Sequence, residues 1–222
     1  MKSYSVLDFE TTGLSAGADR IIEVAAVIVR DGVVVESFSE LMNPGVRIPG
    51  FITGLTGISD SMVRGKPRPE VVMPRLRAFL GDHVCVAHNA SFDQRFFKAE
   101  MALARQAHDR DFVCSLLLAR RLVHDAPSNK LGDLMRHLRL TPPSAMRAHR
   151  ALADVLMTCE LWKHLVGIME SKLQGYPPEL DIIRATLKKP KASVAVYLAG
   201  LAAARLRAES AQTPEQCYAL PR

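Results

Sequence analysis

No apolar run in this 222-residue chain approaches the roughly eighteen residues that a membrane-crossing helix requires. At its start, Met1-Lys2-Ser3-Tyr4-Ser5-Val6-Leu7 meets a carboxylate at Asp8 before any signal-like apolar stretch can form. Both absences speak against a membrane-embedded chain and set the expectation of a cytoplasmic protein with no membrane partner. Cysteines are scarce: Cys85, Cys114, Cys159 and Cys217 lie far apart, with no pair at zinc-ligand spacing. Zinc modules and paired redox thiols are therefore not expected, and three of the four sit in apolar company, where cysteine behaves as a small hydrophobe. Nothing repeats internally. What remains is ordinary for a globular chain, 48% hydrophobic and 23% charged, so a sizeable core can be buried.

The formal net charge is +6, from 29 basic and 23 acidic residues. If several acids gather at one metal, the rest of the surface is more basic than that total, which suits a polyanionic partner. The excess is uneven: residues 171–222 hold eight Lys/Arg against four Asp/Glu, so +4 of the +6 lies there. Composition changes at Gly175-Tyr176-Pro177-Pro178. The chain is accordingly divided into a domain over 1–170 and a basic extension over 171–222. In the extension Lys188-Lys189-Pro190-Lys191 precedes an Ala-rich stretch, 193–208, that reads as one helix.

Residues 4–9, 21–30 and 33–42 are rich in Val, Ile and Phe, and Asp31-Gly32 between the last two is a strong hairpin signal. They predict three strands in an antiparallel meander. Helical turns follow around 51–63, then a helix over 69–80 with Val72, Leu76, Phe79 and Leu80 in helical period. A buried strand at 84–87, a helix over 91–106, a last strand at 111–114 and helices at 115–123 and 130–138 come next. Residues 150–169 carry the clearest amphipathic pattern, with Leu152, Val155, Leu156, Cys159, Trp162 and Val166 on one stripe. Antiparallel strands followed by helices alternating with strands predict an α/β fold, a mixed sheet with helices on its faces.

Chemistry is carried by acids. Asp8 and Glu10 are two apart in the first strand, so both point to one face. Side by side they repel unless a cation sits between them. Alone, such a pair often marks a solvated strand end. Here the strand is otherwise apolar, and Thr11-Thr12-Gly13 follows at once, with hydroxyls and a glycine that can bring backbone N–H groups to a phosphate. His88-Asn89-Ala90-Ser91-Phe92-Asp93 begins where the strand at 84–87 ends, at the carboxyl end of a strand, where ligands bind in such sheets. Asp93 falls in the first turn of the next helix. In His149-Arg150-Ala151-Leu152-Ala153-Asp154 the last carboxylate lies within an apolar stripe, where an unpaired acid is costly. Five helical residues rotate about 500°, so His149 belongs to the loop before the helix, free to swing toward the site. Hard oxygen ligands suit Mg²⁺ or Mn²⁺. Two such ions about 3.5–4 Å apart clamp the attacking and leaving oxygens of a phosphoryl displacement, and a histidine of pKa around 6.5 can take the proton of the attacking water.

Asp8-Phe9-Glu10-Thr11-Thr12-Gly13, His88-Asn89-Ala90-Ser91-Phe92-Asp93 and His149-Arg150-Ala151-Leu152-Ala153-Asp154 resemble, in order and spacing, the three motifs of the DEDD 3′→5′ exonucleases, histidine subtype. Among these the chain is most similar to the proofreading epsilon subunits of bacterial DNA polymerase III, with ribonuclease T a relative. Asp19-Arg20-Ile21-Ile22-Glu23 and Leu55-Thr56-Gly57-Ile58 also look like family segments, although many relatives carry histidine in place of Thr56. The resemblance covers residues 3 to about 168 and implies a ribonuclease H-like fold. It implies that Asp8, Glu10 and Asp154 ligate two Mg²⁺ or Mn²⁺ ions, that Asp93 assists through water, and that His149 is the general base. It further implies that Thr11, Thr12, Gly13 and Leu14 meet the terminal nucleotide, that Leu55 and Ile58 pack on its base, and that His88, Asn89 and Phe92 border it. The expected partner is single-stranded nucleic acid, DNA before RNA, with a DNA polymerase as a further candidate. An RNA-trimming exoribonuclease, and a non-catalytic accessory protein that binds nucleic acid or a polymerase, are the alternatives. Retention of all four acids and His149 speaks against the second.

Overall fold

Asp31 and Gly32 adopt φ of 49° and 78°, the two left-handed residues a type I′ turn needs. They reverse β2 (Ile21–Arg30) into β3 (Val33–Leu41). β1 (Ser3–Thr11) runs antiparallel to β2 along its whole length. Its other edge pairs in parallel with β4 (Cys85–Ala87), and β4 pairs in parallel with β5 (Phe112–Cys114). The order β3-β2-β1-β4-β5 puts β1 at the centre of a mixed sheet. The predicted meander and the two short strands are therefore present. The computed structural model describes residues 3–141 and 150–212.

Period-two alternation of β1 divides the core. Leu7 and Phe9 face one layer, packed with Val72, Leu76 and Leu80 of α3 (Pro69–Leu80) and Phe96 and Phe97 of α4 (Ala90–Leu103). Tyr4 and Val6 face the other, with Val155, Leu161, Trp162 and Leu165 of α7 (Arg150–Lys172). Asp8 and Glu10 continue that second row, so they open toward α7. Two short helices, α1 (Gly50–Thr56) and α2 (Asp60–Val63), cover Ile22 through Ile48, Ile52, Ile58 and Val63. Cys85, Cys114 and Cys159 are free and buried, as small hydrophobes would be.

The single stripe expected on α7 is too narrow. Ala151, Val155, Cys159, Leu161, Trp162, Leu165 and Met169 are all buried, whereas Leu152, Leu156 and Val166 are only half-buried. The helix is covered by the sheet on one side and elsewhere by α5 (Ser115–Leu122), α6 (Leu131–His137) and α9 (Val194–Gln212). Its covered surface is thus broader than one stripe, as expected of a helix packed by several neighbours, with Lys163 and Gly167 left exposed. A further helix with no specific sequence expectation, α8 (Leu180–Lys188), lies against α5.

Residues beyond 171 thus contribute to the main core: Ile183, Val194 and Leu198 are buried in the same cluster as Trp162. Several of the extension's cations are engaged on the surface. Lys189 Nζ lies 4.8 Å from the Tyr197 ring centroid, Arg205 stacks 4.3 Å over Tyr176, and Arg184 pairs with Asp111. Among the described residues, no helix is long and apolar enough to cross a membrane.

Ile183→Ala and Leu198→Ala should each destabilise the chain by about 2–5 kcal/mol, the cost of deleting a fully buried aliphatic side chain. Urea denaturation should show one transition shifted to lower midpoint for both. A second, separate transition in either variant would mean that the extension folds independently of the sheet.

Candidate active site

β1 and α7 are brought together by apolar packing, and their acids meet as a result. Carboxylate oxygens of Asp8, Glu10 and Asp154 lie within 4.8 Å of one another, all three side chains half-buried. Asp8 and Glu10 come from alternate positions of β1, and a register shift between Glu10 and Thr11 breaks the ladder at the site. Such a bulge re-aims a strand end. Asp154 projects from the second turn of α7. The donor set is all oxygen, carries formal charge, and fits a hard divalent cation.

Asp93 does not join the three at ligand distance. It is buried in the first turn of α4, and its Oδ1 accepts the Phe9 N–H at 3.2 Å. Pairing between β1 and β4 covers Ser5 and Val6 only. Beyond it Asp93 takes over the strand edge and fixes the segment between Asp8 and Glu10. Burial and then the charge of Glu10 push its carboxyl up to about 8, against the N–H groups that favour its ionised form. The Asp8 carboxyl is likewise raised well above the usual range, first by loss of solvation and then by Asp93, Asp154, Glu10 and Glu23. Crowding makes these acids costly to ionise, and a cation among them would offset that cost.

Glu23 was not among the predicted site residues. It sits opposite Glu10 in the β1–β2 ladder, buried, and its Oε2 accepts the Ala151 N–H at 3.4 Å. It ties β2 to the first turn of α7, one turn before Asp154, where a carboxylate also meets the positive end of the helix. The signal was present in the sequence: a lone acid inside Ile21–Arg30, a strand otherwise apolar up to its last residue.

The predicted substrate contacts divide into those that face out and those that build the walls. Leu14 and Leu55 are 77% and 65% exposed, and Asn89 is exposed in a left-handed conformation, φ 71°. Ile58, at 3% exposure, belongs to the apolar cluster under α1, and Thr56 shapes the same turn by donating to the Ile52 carbonyl and accepting from Ile58 N–H. Both ring nitrogens of His88 are engaged, with Ser115 Oγ and the Asn129 carbonyl at 2.9 Å each. Thr11 donates to the Gly13 carbonyl and Thr12 donates to Asp19, so neither hydroxyl points outward. The half-buried Phe92 ring stacks 4.8 Å from that of Phe96. His149 lies outside the described residues. A cleft of about 650 Å³ beside α4, lined by Arg95, Lys98, Asp109 and Arg110 among others, includes none of Asp8, Glu10, Asp93 and Asp154.

A family model described as Exonuclease, of the RNase T type, matches residues 5–162. The chain is 40% identical over 170 residues to a PolC-type DNA polymerase III of Clostridium perfringens and 34% identical over 193 residues to that of Thermotoga maritima. These stretches are 77% and 85% of this chain but only 12% and 14% of those polymerases. Among solved structures, Exonuclease X in complex with 5′-overhanging duplex DNA superposes with a TM-score of 0.61 at 30% identity, over 74% of this chain and 91% of that one. E. coli Exonuclease I in complex with a dT13 oligonucleotide shares the fold, with a TM-score of 0.67 at 19% identity over 79% of this chain and 43% of that one.

The raised carboxyls carry a pH signature. Asp8 and Asp93 hold their protons in the cation-free fold at pH values where the unfolded chain, with carboxyl pKa near 4, has lost them. The folded state therefore binds more protons, and stability falls as pH rises from about 4 through about 8. In chelator the melting temperature should drop between pH 5 and 8, and saturating Mg²⁺ should remove most of that drop. Asp8→Asn should flatten the chelator profile. Identical pH profiles with and without Mg²⁺ would show that no cation relieves the cluster.

Proposed function

This chain belongs to the exonuclease family, and on that premise we propose that it removes nucleotides one at a time from the 3′ end of single-stranded DNA by metal-dependent phosphodiester hydrolysis. The observation that carries the reading is the convergence of Asp8, Glu10 and Asp154, from two distant segments, on a single point. Their hard, crowded oxygens suit two Mg²⁺ or Mn²⁺ ions. Bound there, such ions lower the pKa of water and offset the charge that develops on phosphate oxygens.

The chain's own residues supply the remainder. Asp8, Glu10 and Asp154 would hold the ions, and Asp93 keeps β1 in place by accepting the Phe9 N–H and would assist the ions through water. His149, which immediately precedes α7 in the sequence, accepts the proton of the attacking water; free imidazole titrates near neutrality and suits that task. Leu14 and Leu55 present apolar side chains to the terminal nucleotide and its base. Asn89, exposed before α4, would border the same nucleotide. DNA is favoured because Exonuclease X, similar at 30% identity, was solved in complex with 5′-overhanging duplex DNA. A role in proofreading beside a polymerase is supported by likeness to one segment of the PolC-type polymerases.

A single strand labelled at its 5′ end should yield a ladder of shortened products with Mg²⁺ and none with chelator, while 3′ label should be released as mononucleotide from the first turnover. Matched RNA should be cut more slowly. Asp154→Ala should abolish cleavage with the fold intact, and His149→Ala should slow it by about two to four orders of magnitude while leaving metal affinity unchanged. Near-normal rates in Asp154→Ala at saturating Mg²⁺ would overturn the assignment.

A further inference from the structure

The loop that presents Leu14 is wrapped around a carboxylate that neither the metal chemistry nor the base contacts use. Asp19 Oδ1 accepts the Thr12 hydroxyl at 3.2 Å, and Oδ2 accepts the Ser15 N–H at 2.9 Å. The Thr12 hydroxyl in turn accepts the Arg20 N–H at 3.0 Å, and the Thr12 N–H donates to the Arg20 carbonyl at 2.9 Å. The N–H groups of Ala18 and Asp19 close back on the Ser15 carbonyl. Gly13 fits only because it lacks a side chain: a Cβ there would lie 2.5 Å from the Asp19 carboxyl.

Asp19 is fixed through its neighbour. Arg20 donates to both Glu100 oxygens at 2.8 and 2.9 Å, to Glu70 at 2.7 Å and to the Pro44 carbonyl at 3.3 Å. The Ile21 N–H reaches Glu100 as well, at 3.2 Å. Glu100 is buried toward the end of α4, the helix whose first turn carries Asp93. A two-pronged guanidinium–carboxylate pair of this kind is directional as well as strong. It fastens the loop over residues 12–15 to the same helix that holds β1.

We propose that Asp19 is the positioning residue for the nucleotide-facing loop, with Arg20 and Glu100 as its anchor, so that Leu14 and the loop backbone stand ready before the 3′ end arrives. The proposal rests on the exonuclease reading above. Without the carboxylate, a segment containing glycine must be ordered at the moment of binding, and that cost is subtracted from affinity. Loop contacts are made equally in the bound state and during cleavage, so their loss raises KM and leaves kcat.

The test measures cleavage of a single-stranded DNA oligonucleotide by the full chain carrying Asp19→Ala, Asp19→Asn, Gly13→Ala or the Gly13→Ala/Asp19→Ala pair, with Mn²⁺ affinity followed by calorimetry. Asp19→Ala should raise KM about ten- to a hundredfold, the effect of losing hydrogen bonds to a charged group. Its kcat should stay within about threefold, and Mn²⁺ affinity should not change. Asp19→Asn should recover part of the loss, since its carbonyl still accepts from Thr12. Gly13→Ala should displace the carboxyl and reproduce the KM rise, and the double variant should be no worse than the poorer single one, because both act on one contact. A KM for Asp19→Ala within twofold of wild type overturns the proposal, as do additive effects, or a fall in kcat with weakened Mn²⁺ binding. A wild-type chain that neither binds nor cuts the strand overturns the exonuclease reading and the proposal together, whereas a normal wild type beside an unaltered Asp19→Ala overturns the proposal alone.

Discussion

Like charges are held together here by apolar surfaces that have no other way to be covered. The β1 row runs Tyr4, Val6, Asp8, Glu10, and its first half packs with Trp162 and its neighbours on α7. Each fully buried aliphatic or aromatic side chain in that contact contributes roughly 1.5–3 kcal/mol relative to exposure. Several of them together outweigh the repulsion that the second half of the row meets when it faces Asp154. The strand therefore carries its own opposing forces, and the apolar half decides where the acidic half must sit.

The two faces of the sheet support different tasks. Ligand-bearing acids open toward α7, where Glu23 joins β2 to the helix start. The loop proposed to meet the nucleotide is fastened on the opposite side, through Arg20 to Glu100 of α4. Asp93 reaches from α4 to β1 and is the point where the two supports meet. On the proposed reading, chemistry and recognition have separate supports and should be open to perturbation one at a time.

Much of this was legible in the sequence because it is local. Asp31-Gly32 announces its turn, Asp8 and Glu10 share a face by strand periodicity, and the helix at 69–80 follows from spacing alone. Direction of polar groups was not legible, because it depends on distant partners. His88 turns inward to Ser115 and Asn129, Thr12 to Asp19, and Ile58 to Ile22, and nothing local in the sequence joins these partners. The width of the apolar surface on α7 escaped for the same reason: a periodic stripe reveals one packed face, whereas α9 covers another from far along the chain. α8 was not singled out because it lies between prolines that mark a boundary and a run of lysines that marks a basic stretch.

Glu10 and Asp154 stand near opposite ends of the sheet-forming and helical parts of the chain, so their meeting is among the contacts of greatest sequence separation. Contacts of that kind are entropically expensive to close and form late. Their mutual repulsion delays the last approach of the first turn of α7 further. A cation that needs all three acids finds no binding place until that turn has docked. Such a cation would bind only chains in which that turn is docked, and so would oppose its departure from the folded state.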